Sequence, residues 1–394
     1  MSVPTKKISD LFSDVKIGGT PSRGNPSYFD GSNLWVSIRD MEGQPILTRT
    51  AECISDDGVR NSNCKLVKKG SLLFSFKLTV GRTSFAGEDL YTNEAIAAFD
   101  PDEAKASGID LDYLSLVLPM AASGDNTKNS LGAALLNKNK ILNLDVPYIE
   151  LTQQRKIATS LKAQLAEVET ARQAAQVQLS DIHLLRTRML KAFFAKLDSI
   201  PKKRLGDYAH TTSGVTPSRS NAAYWQPAEV AWVKTGEIDF SPITYVNESI
   251  SKKALAECSL SLLPPKTVLI AITGEGKTRG RSAVLEVSAT TNQHSVAVLP
   301  NEIWDAEFLQ LWLQASYQDL RDLSEGRGGS RSALTGGHIR NLEIPAPTTS
   351  EQQQLVAHIK TALTEIETLE QSSKTVLEDI EKLPARILAQ AFEK

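Results

Sequence analysis

The sequence predicts an α+β protein built twice over: two tandem mixed α/β domains, each followed by one long helix. Three observations carry that expectation. One plan occurs in two copies along 394 residues; each copy opens with short apolar runs set among Gly, Pro and Thr; each closes on a heptad seam with almost no Gly or Pro. At about 150 residues per domain the length allows two or three. A 41% hydrophobic and 23% charged composition supports sizeable cores. No apolar run reaches the ~18 residues that span a bilayer, so no membrane role is expected. The N-terminus MSVPTKKISDLF lacks the apolar stretch of a signal peptide. Three cysteines (Cys53, Cys64, Cys258) fit a reducing, cytoplasmic setting.

The duplication is read residue by residue. Lys7–Val36 returns as Arg204–Val233, sharing Thr20-Pro21-Ser22-Arg23 with Thr216-Pro217-Ser218-Arg219; Tyr28 answers Tyr224 and Trp35 answers Trp232. Gly70–Phe76 matches Lys266–Ile272, Thr92-Asn93 matches Thr291-Asn292, and Asn143–Pro147 matches Asn341–Pro345. Segments 151–196 and 349–394 align without a gap and share 15 of 46 residues, where unrelated sequences of average composition give roughly three. The boundaries that follow are 1–150 and 198–348 for the domains, 151–197 and 349–394 for the helices.

Within the domains, the runs Leu72–Phe76, Ala95–Phe99, Val268–Ile272 and Ser295–Leu299 are bounded by turn residues and predict strands. Leu111–Leu118 and Glu307–Leu313 predict short helices. The long helices start near Thr152 and Ser350, plausible N-caps. Their apolar residues alternate four and three apart: Leu161, Leu165, Val168, Ala175, Leu179, Ile182 and Met189 in the first; Ile359, Leu363, Ile366, Leu377, Ile380 and Ile387 in the second. Arg172, Arg186, Glu370, Ser373 and Pro384 interrupt the pattern. Forty-three helical residues extend about 65 Å and need a partner along that length. Residues 151–197 carry a net +5 and residues 349–394 a net −3, so each helix should prefer the other to a copy of itself.

Three motifs suggest chemistry that the context discounts. Ala271–Thr278 (AITGEGKT) fits a permissive phosphate loop, but Ala283–Val287 reads as a strand where the loop needs a helix. A nucleotide hydrolase is therefore disfavoured. Asp145-Val146-Pro147-Tyr148 approaches the signature with which amino-methyltransferases hold a base; as a Pro-marked lead into a helix it needs no such role. His183, His210, His294, His338 and His358 are scattered without ligand spacing, so no metal site is expected. No nucleophile elbow is present.

The order domain, helix, domain, helix, with a Thr-Pro-Ser-Arg turn followed by Tyr and Trp, and Gln-rich helix starts (Gln153-Gln154; Gln352-Gln353), resembles the specificity subunit of type I restriction-modification enzymes over essentially the whole chain. The resemblance implies a non-catalytic chain whose two target-recognition domains read the halves of a bipartite site in double-stranded DNA. It implies an antiparallel, pseudo-two-fold coiled coil that spaces the domains and docks two modification methyltransferase subunits, with restriction/translocase subunits joining. S-adenosylmethionine, ATP and Mg are then expected on those partners and no cofactor on this chain. A net charge of −2 argues against binding by charge alone and keeps a second class open, a coiled-coil adaptor with paired protein-binding domains.

Base reading needs planar donor and acceptor groups. Candidates lie in loops where the copies diverge: Arg39, Lys77, Arg82, Asn93 and Lys128 in the first domain; Lys234, Lys277, Arg279, Arg281, Gln293, Arg327 and Arg331 in the second. Arg23 and Arg219, kept by both copies, are expected to be structural. For helix pairing the candidates are Leu161, Leu165, Val168, Leu179 and Ile182 against Ile359, Leu363, Ile366, Leu377 and Ile380.

Overall fold

The computed structural model describes residues 3–77, 79–123, 136–274, 276–323 and 334–392. The chain divides into two compact units, Met1–Ala175 with Val376–Lys394, and Gln176–Thr375. The long helices span Leu151–Ala195 and Thr349–Phe392. Each unit therefore holds one globular domain, one half of the first helix and one half of the second.

In the first unit a five-stranded sheet runs in the order Lys16–Ile17, Ile96–Phe99, Leu72–Ser75, Thr83–Ala86, Ile46–Leu47. Its pairs are antiparallel except the last. Leu72, Phe74 and Phe99 face a core shared with Tyr113 and Leu114 of the helix Leu111–Ala122. Leu73, Ile96 and Ala98 face a second core with Val36 and Leu47. Burial on both faces explains why these strands read as unbroken apolar runs rather than alternating ones. Beside this sheet, Asn33–Val36 pairs antiparallel with Glu52–Ile54 and parallel with Tyr91–Thr92.

The second unit repeats the plan. Thr211–Ser213, Ser295–Val298, Val268–Ala271 and Ser282–Val284 form an antiparallel sheet in that order. Val230–Val233 pairs antiparallel with Ser249–Ile250 and parallel with Thr290–Thr291. Val268 and Ile270 join one core and Leu269 and Ala271 another, the same alternation as before. The fifth edge strand of the first unit is reduced here to a single parallel bridge between Ile243 and Leu285.

Asp145–Pro147 pairs antiparallel with Thr5–Lys7, and Glu343–Pro345 with Lys202–Arg204. The two Pro segments are thus short strands that close each domain before its helix. The helix starts lie slightly earlier than Thr152 and Ser350. Glu150 accepts from the Thr152 and Gln153 backbone N–H groups at 3.0 and 3.3 Å, and Thr348 exchanges capping bonds with Glu351. A carboxylate at the first start and a Thr-x-x-Glu box at the second satisfy the free N–H groups there.

Along the first helix, Leu161, Val168, Ala175, Leu179, Ile182, Leu190 and Phe194 are buried; along the second, Val356, Ile359, Ile366 and Ser373 are buried. Leu165, Leu363, Leu377 and Ile380 are half-buried. Half-buried Arg172, Arg186, Glu370 and Pro384 fall in the same stripe, so the interruptions occupy seam positions. The halves meet within each unit and run in opposite senses. In the first, Ile157, Ser160, Leu161 and Gln164 line a groove with Ile387, Gln390 and Ala391. In the second, Leu190 and Phe194 share a core with Val356 and Ile359, and Arg186 Nη2 lies 3.5 Å from Glu367 Oε1.

Candidate nucleic-acid interface

The loop that opens each domain is fixed by three repeated devices. Gly18 and Gly214 sit where a Cβ would lie 1.9 Å from the Thr92 carbonyl oxygen and 1.6 Å from that of Thr291; only glycine permits that approach. The indole N–H of Trp35 donates to the Gly19 carbonyl, and that of Trp232 to the Val215 carbonyl, each at 3.0 Å. Arg23 then donates to both carboxylate oxygens of Glu52 at 2.5 and 2.8 Å and lies 4.3 Å from the Phe29 ring centroid and 5.4 Å from that of Trp35. Arg219 pairs likewise with Glu248 and lies 3.6 Å from the Trp225 centroid and 5.4 Å from that of Trp232. The Arg219 hydrogen bond holds the Glu248 carboxyl at about 2, and the Arg23 bond lowers that of Glu52. Both arginines therefore spend their planar donors on a stacked ion pair inside the loop.

Against this frame the first domain gathers several candidates on one face. Arg39 and Asn93 line a cleft of about 590 Å³ with Ser37, Ile38, Ala51 and the Arg23–Glu52 pair. Arg82 reaches the same rim, donating to the Ile38 carbonyl at 3.3 Å and to Glu42 at 3.3 Å. Lys77 is exposed, and its charge acts on Glu94 next to Asn93. The Thr20 hydroxyl donates to Glu94 at 2.5 Å and is the main cause that holds this carboxyl below its ordinary range, so Glu94 is ionised at neutral pH. Asn93 has a local task as well: its side-chain oxygen accepts from the Ala95 N–H at 3.1 Å. Lys128 lies outside the described residues.

The second domain separates its candidates. Lys234 sits 2.9 Å from Glu248 and so joins the Arg219 pair. Gln293 is exposed and accepts from the Thr216 hydroxyl at 2.6 Å. Arg281 lies 5.9 Å from the Phe240 ring, with its Nε buried. Lys277 lines a groove of about 660 Å³ with His183, Arg186, Lys191 and Tyr317. Arg279 is 3% exposed in this structure. Arg327 and Arg331 lie outside the described residues.

The phosphate-loop motif folds otherwise than such a loop requires. No helix begins at Lys277, and the Gly276 and Lys277 carbonyls accept from Arg321 at 2.8 Å and Tyr317 at 2.6 Å. The loop is held through its acceptors, where a phosphate cradle presents N–H groups. Among the described residues no group of three or more His, Cys, Asp or Glu could hold a metal ion, and no helix is long and apolar enough to cross a membrane.

Sequence reasoning missed the buried glutamines. Gln154 and Gln352 are both fully buried. Gln154 donates to the Gly108 and Ile149 carbonyls at 3.0 and 2.8 Å and accepts from the Asp110 N–H at 2.8 Å. Gln352 donates to Ile303 and Pro347 at 2.7 and 2.9 Å and accepts from Asp305 at 2.8 Å. Each anchors the first turn of a long helix to the cap of a domain helix. The signal was there as Gln at equivalent positions of both copies.

Comparison with known proteins adds the following. The model of the type I restriction modification DNA specificity domain matches residues 3–178 and again 200–379. The MjaIX specificity subunit of Methanocaldococcus jannaschii is 21% identical over 318 residues, 74% of this chain and 71% of that protein. The EcoR124I/EcoR124II specificity subunit of Escherichia coli is 24% identical over 155 residues, which span 39% of this chain and 38% of the relative. Among solved structures, a chain from a study of type I R-M complex assembly and conformational transition matches with TM-score 0.73 at 16% identity, over 100% of this chain and 99% of that one. The HsdS subunit of Thermoanaerobacter tengcongensis matches with TM-score 0.57 at 16% identity, over 99% and 96%. At such identity these likenesses show the fold alone.

Proposed function

Since the chain belongs to the type I restriction-modification DNA specificity family, with two matching regions that cover most of its length, we propose that it reads a bipartite site in double-stranded DNA. As a specificity subunit it is non-catalytic. Each domain reads one half-site through the loops around its stacked Arg–Glu pair, and the two long helices set the distance between the halves. Arg39, Lys77 and Arg82 in the first domain, and Lys234, Lys277, Arg281 and Gln293 in the second, contribute base and phosphate contacts. The observation that carries this reading is the duplication: one scaffold occurs twice with different side chains at equivalent loop positions. A repeated scaffold with unlike readers suits two unlike half-sites, and paired helices suit a fixed half-site separation.

The seam residues Leu161, Leu165, Val168, Leu179 and Ile182, with Ile359, Leu363, Ile366, Leu377 and Ile380, hold the helices together. The surfaces they leave outward dock two modification methyltransferase subunits, which bring S-adenosylmethionine; restriction subunits that use ATP and Mg join them in the cytoplasm. The near-neutral charge of this chain is then offset by partners that supply phosphate neutralisation. Assembling the chain with an adenine methyltransferase subunit and titrating duplexes tests the proposal. A site of two defined halves at one separation is expected, with competing duplexes bound about a thousand-fold more weakly. Binding that ignores sequence would overturn it.

A further inference from the structure

The parallel pairings of Trp35-Val36 with Tyr91-Thr92 and of Trp232-Val233 with Thr290-Thr291 put the two domains in one register. In that register Asn93 answers Asn292, and the next residue is Glu94 in one domain and Gln293 in the other. The asparagines do the same work: Asn93 accepts from the Ala95 N–H at 3.1 Å, and Asn292 from the His294 N–H at 2.9 Å. Glu94 and Gln293 are both exposed, and each accepts from the hydroxyl of the loop threonine, Thr20 or Thr216. Behind each threonine lies the glycine pressed against the Thr92 or Thr291 carbonyl. Backbone, anchor and exposure coincide, and the two side chains differ by an oxygen against an NH₂. A carboxylate can only accept, whereas an amide both donates and accepts.

We propose that this position discriminates bases in both half-sites, with Glu94 accepting from a cytosine amino group and Gln293 pairing with adenine. The inference rests on the bipartite DNA reading and assigns one base pair in each half to one side chain. A carboxylate facing phosphates is repelled unless a base amino group meets it, so Glu94 selects against base edges that only accept. Gln293 Nε2 is hydrogen-bonded to His294 Nε2 at 3.2 Å, which leaves its second N–H and the Oε1 lone pair to match the N7 acceptor and N6 amino group of adenine. In each domain the threonine hydroxyl restricts the side chain before DNA arrives, which favours one geometry over several.

The test uses the full chain assembled with its methyltransferase subunits and a pool of randomised duplexes, sequenced after competitive binding. Glu94→Gln should move one base pair of one half-site from cytosine toward adenine by about ten-fold. Gln293→Glu should do the reverse in the other half. In each variant the other half-site stays as in the unaltered chain, which reports a folded molecule. Thr20→Ala, which frees Glu94 without changing its chemistry, should relax preference at that same base pair. The proposal is overturned if both exchanges leave every position unchanged, or if either weakens all sequences alike. If the unaltered assembly selects no bipartite motif, the proposed function itself fails and this assignment with it.

Discussion

Arg219 shows how one residue can be legible by position and opaque in role. Its recurrence with Arg23 in both copies marked the pair as structural, but nothing in the sequence named Glu248 and Glu52, 29 residues downstream in each copy, as the partners. The Arg219 hydrogen bond, with a smaller contribution from Lys234, lowers the Glu248 carboxyl from an ordinary 4.5 to about 2. A carboxylate with a depressed folded value stabilises the fold above its unfolded value and loses that contribution as pH falls. The second domain should therefore lose stability between pH 4.5 and 2. With Arg219 half exposed and Glu248 about one-fifth exposed, screening limits the effect to about 1 kcal/mol. Chemical denaturation across that range should show the loss in the unaltered chain and a flattened dependence in Glu248→Gln. Equal slopes in both would refute this account of the pair. Of the candidate site, the sequence singled out Arg39 and Asn93, which line one cleft, and passed over Glu94, because a carboxylate does not announce itself as a candidate DNA contact.

At the scale of elements, the strands were legible because short apolar runs between turn residues have few alternatives. The central runs lacked alternation because two cores flank one sheet, which only the tertiary arrangement reveals. The heptads were legible too, and the polar residues that interrupt them prove to sit in the seam, where Arg186 faces Glu367 across the second unit. What periodicity could not supply was how a helix of more than forty residues is held to its domain. Gln154 and Gln352 supply it, each fully buried and each with three hydrogen bonds. Gln352→Leu leaves the Ile303 and Pro347 carbonyls and the Asp305 N–H without partners. It should destabilise the second unit by about 2–4 kcal/mol, read as a lowered denaturation midpoint, with Gln154→Leu doing the same to the first. A change below about 0.5 kcal/mol in either would mean that the junction is solvated rather than sealed.

Across the whole molecule, the strongest signal was the repeat itself. Fifteen shared residues in 46 aligned positions of the helices and the doubled Thr-Pro-Ser-Arg turn are enough by themselves to predict two domains and two helices. Charge was a weaker guide, since a net −2 describes the chain without the partners proposed to share its task. The account turns on two unlike readers held at one separation along a duplex. Mapping methylated adenines genome-wide in cells with and without this chain tests that most directly. The account predicts that one bipartite motif, with two different halves and a single spacer length, disappears when the chain is removed. An unchanged methylation pattern, or a motif whose halves occur at many separations, would contradict it.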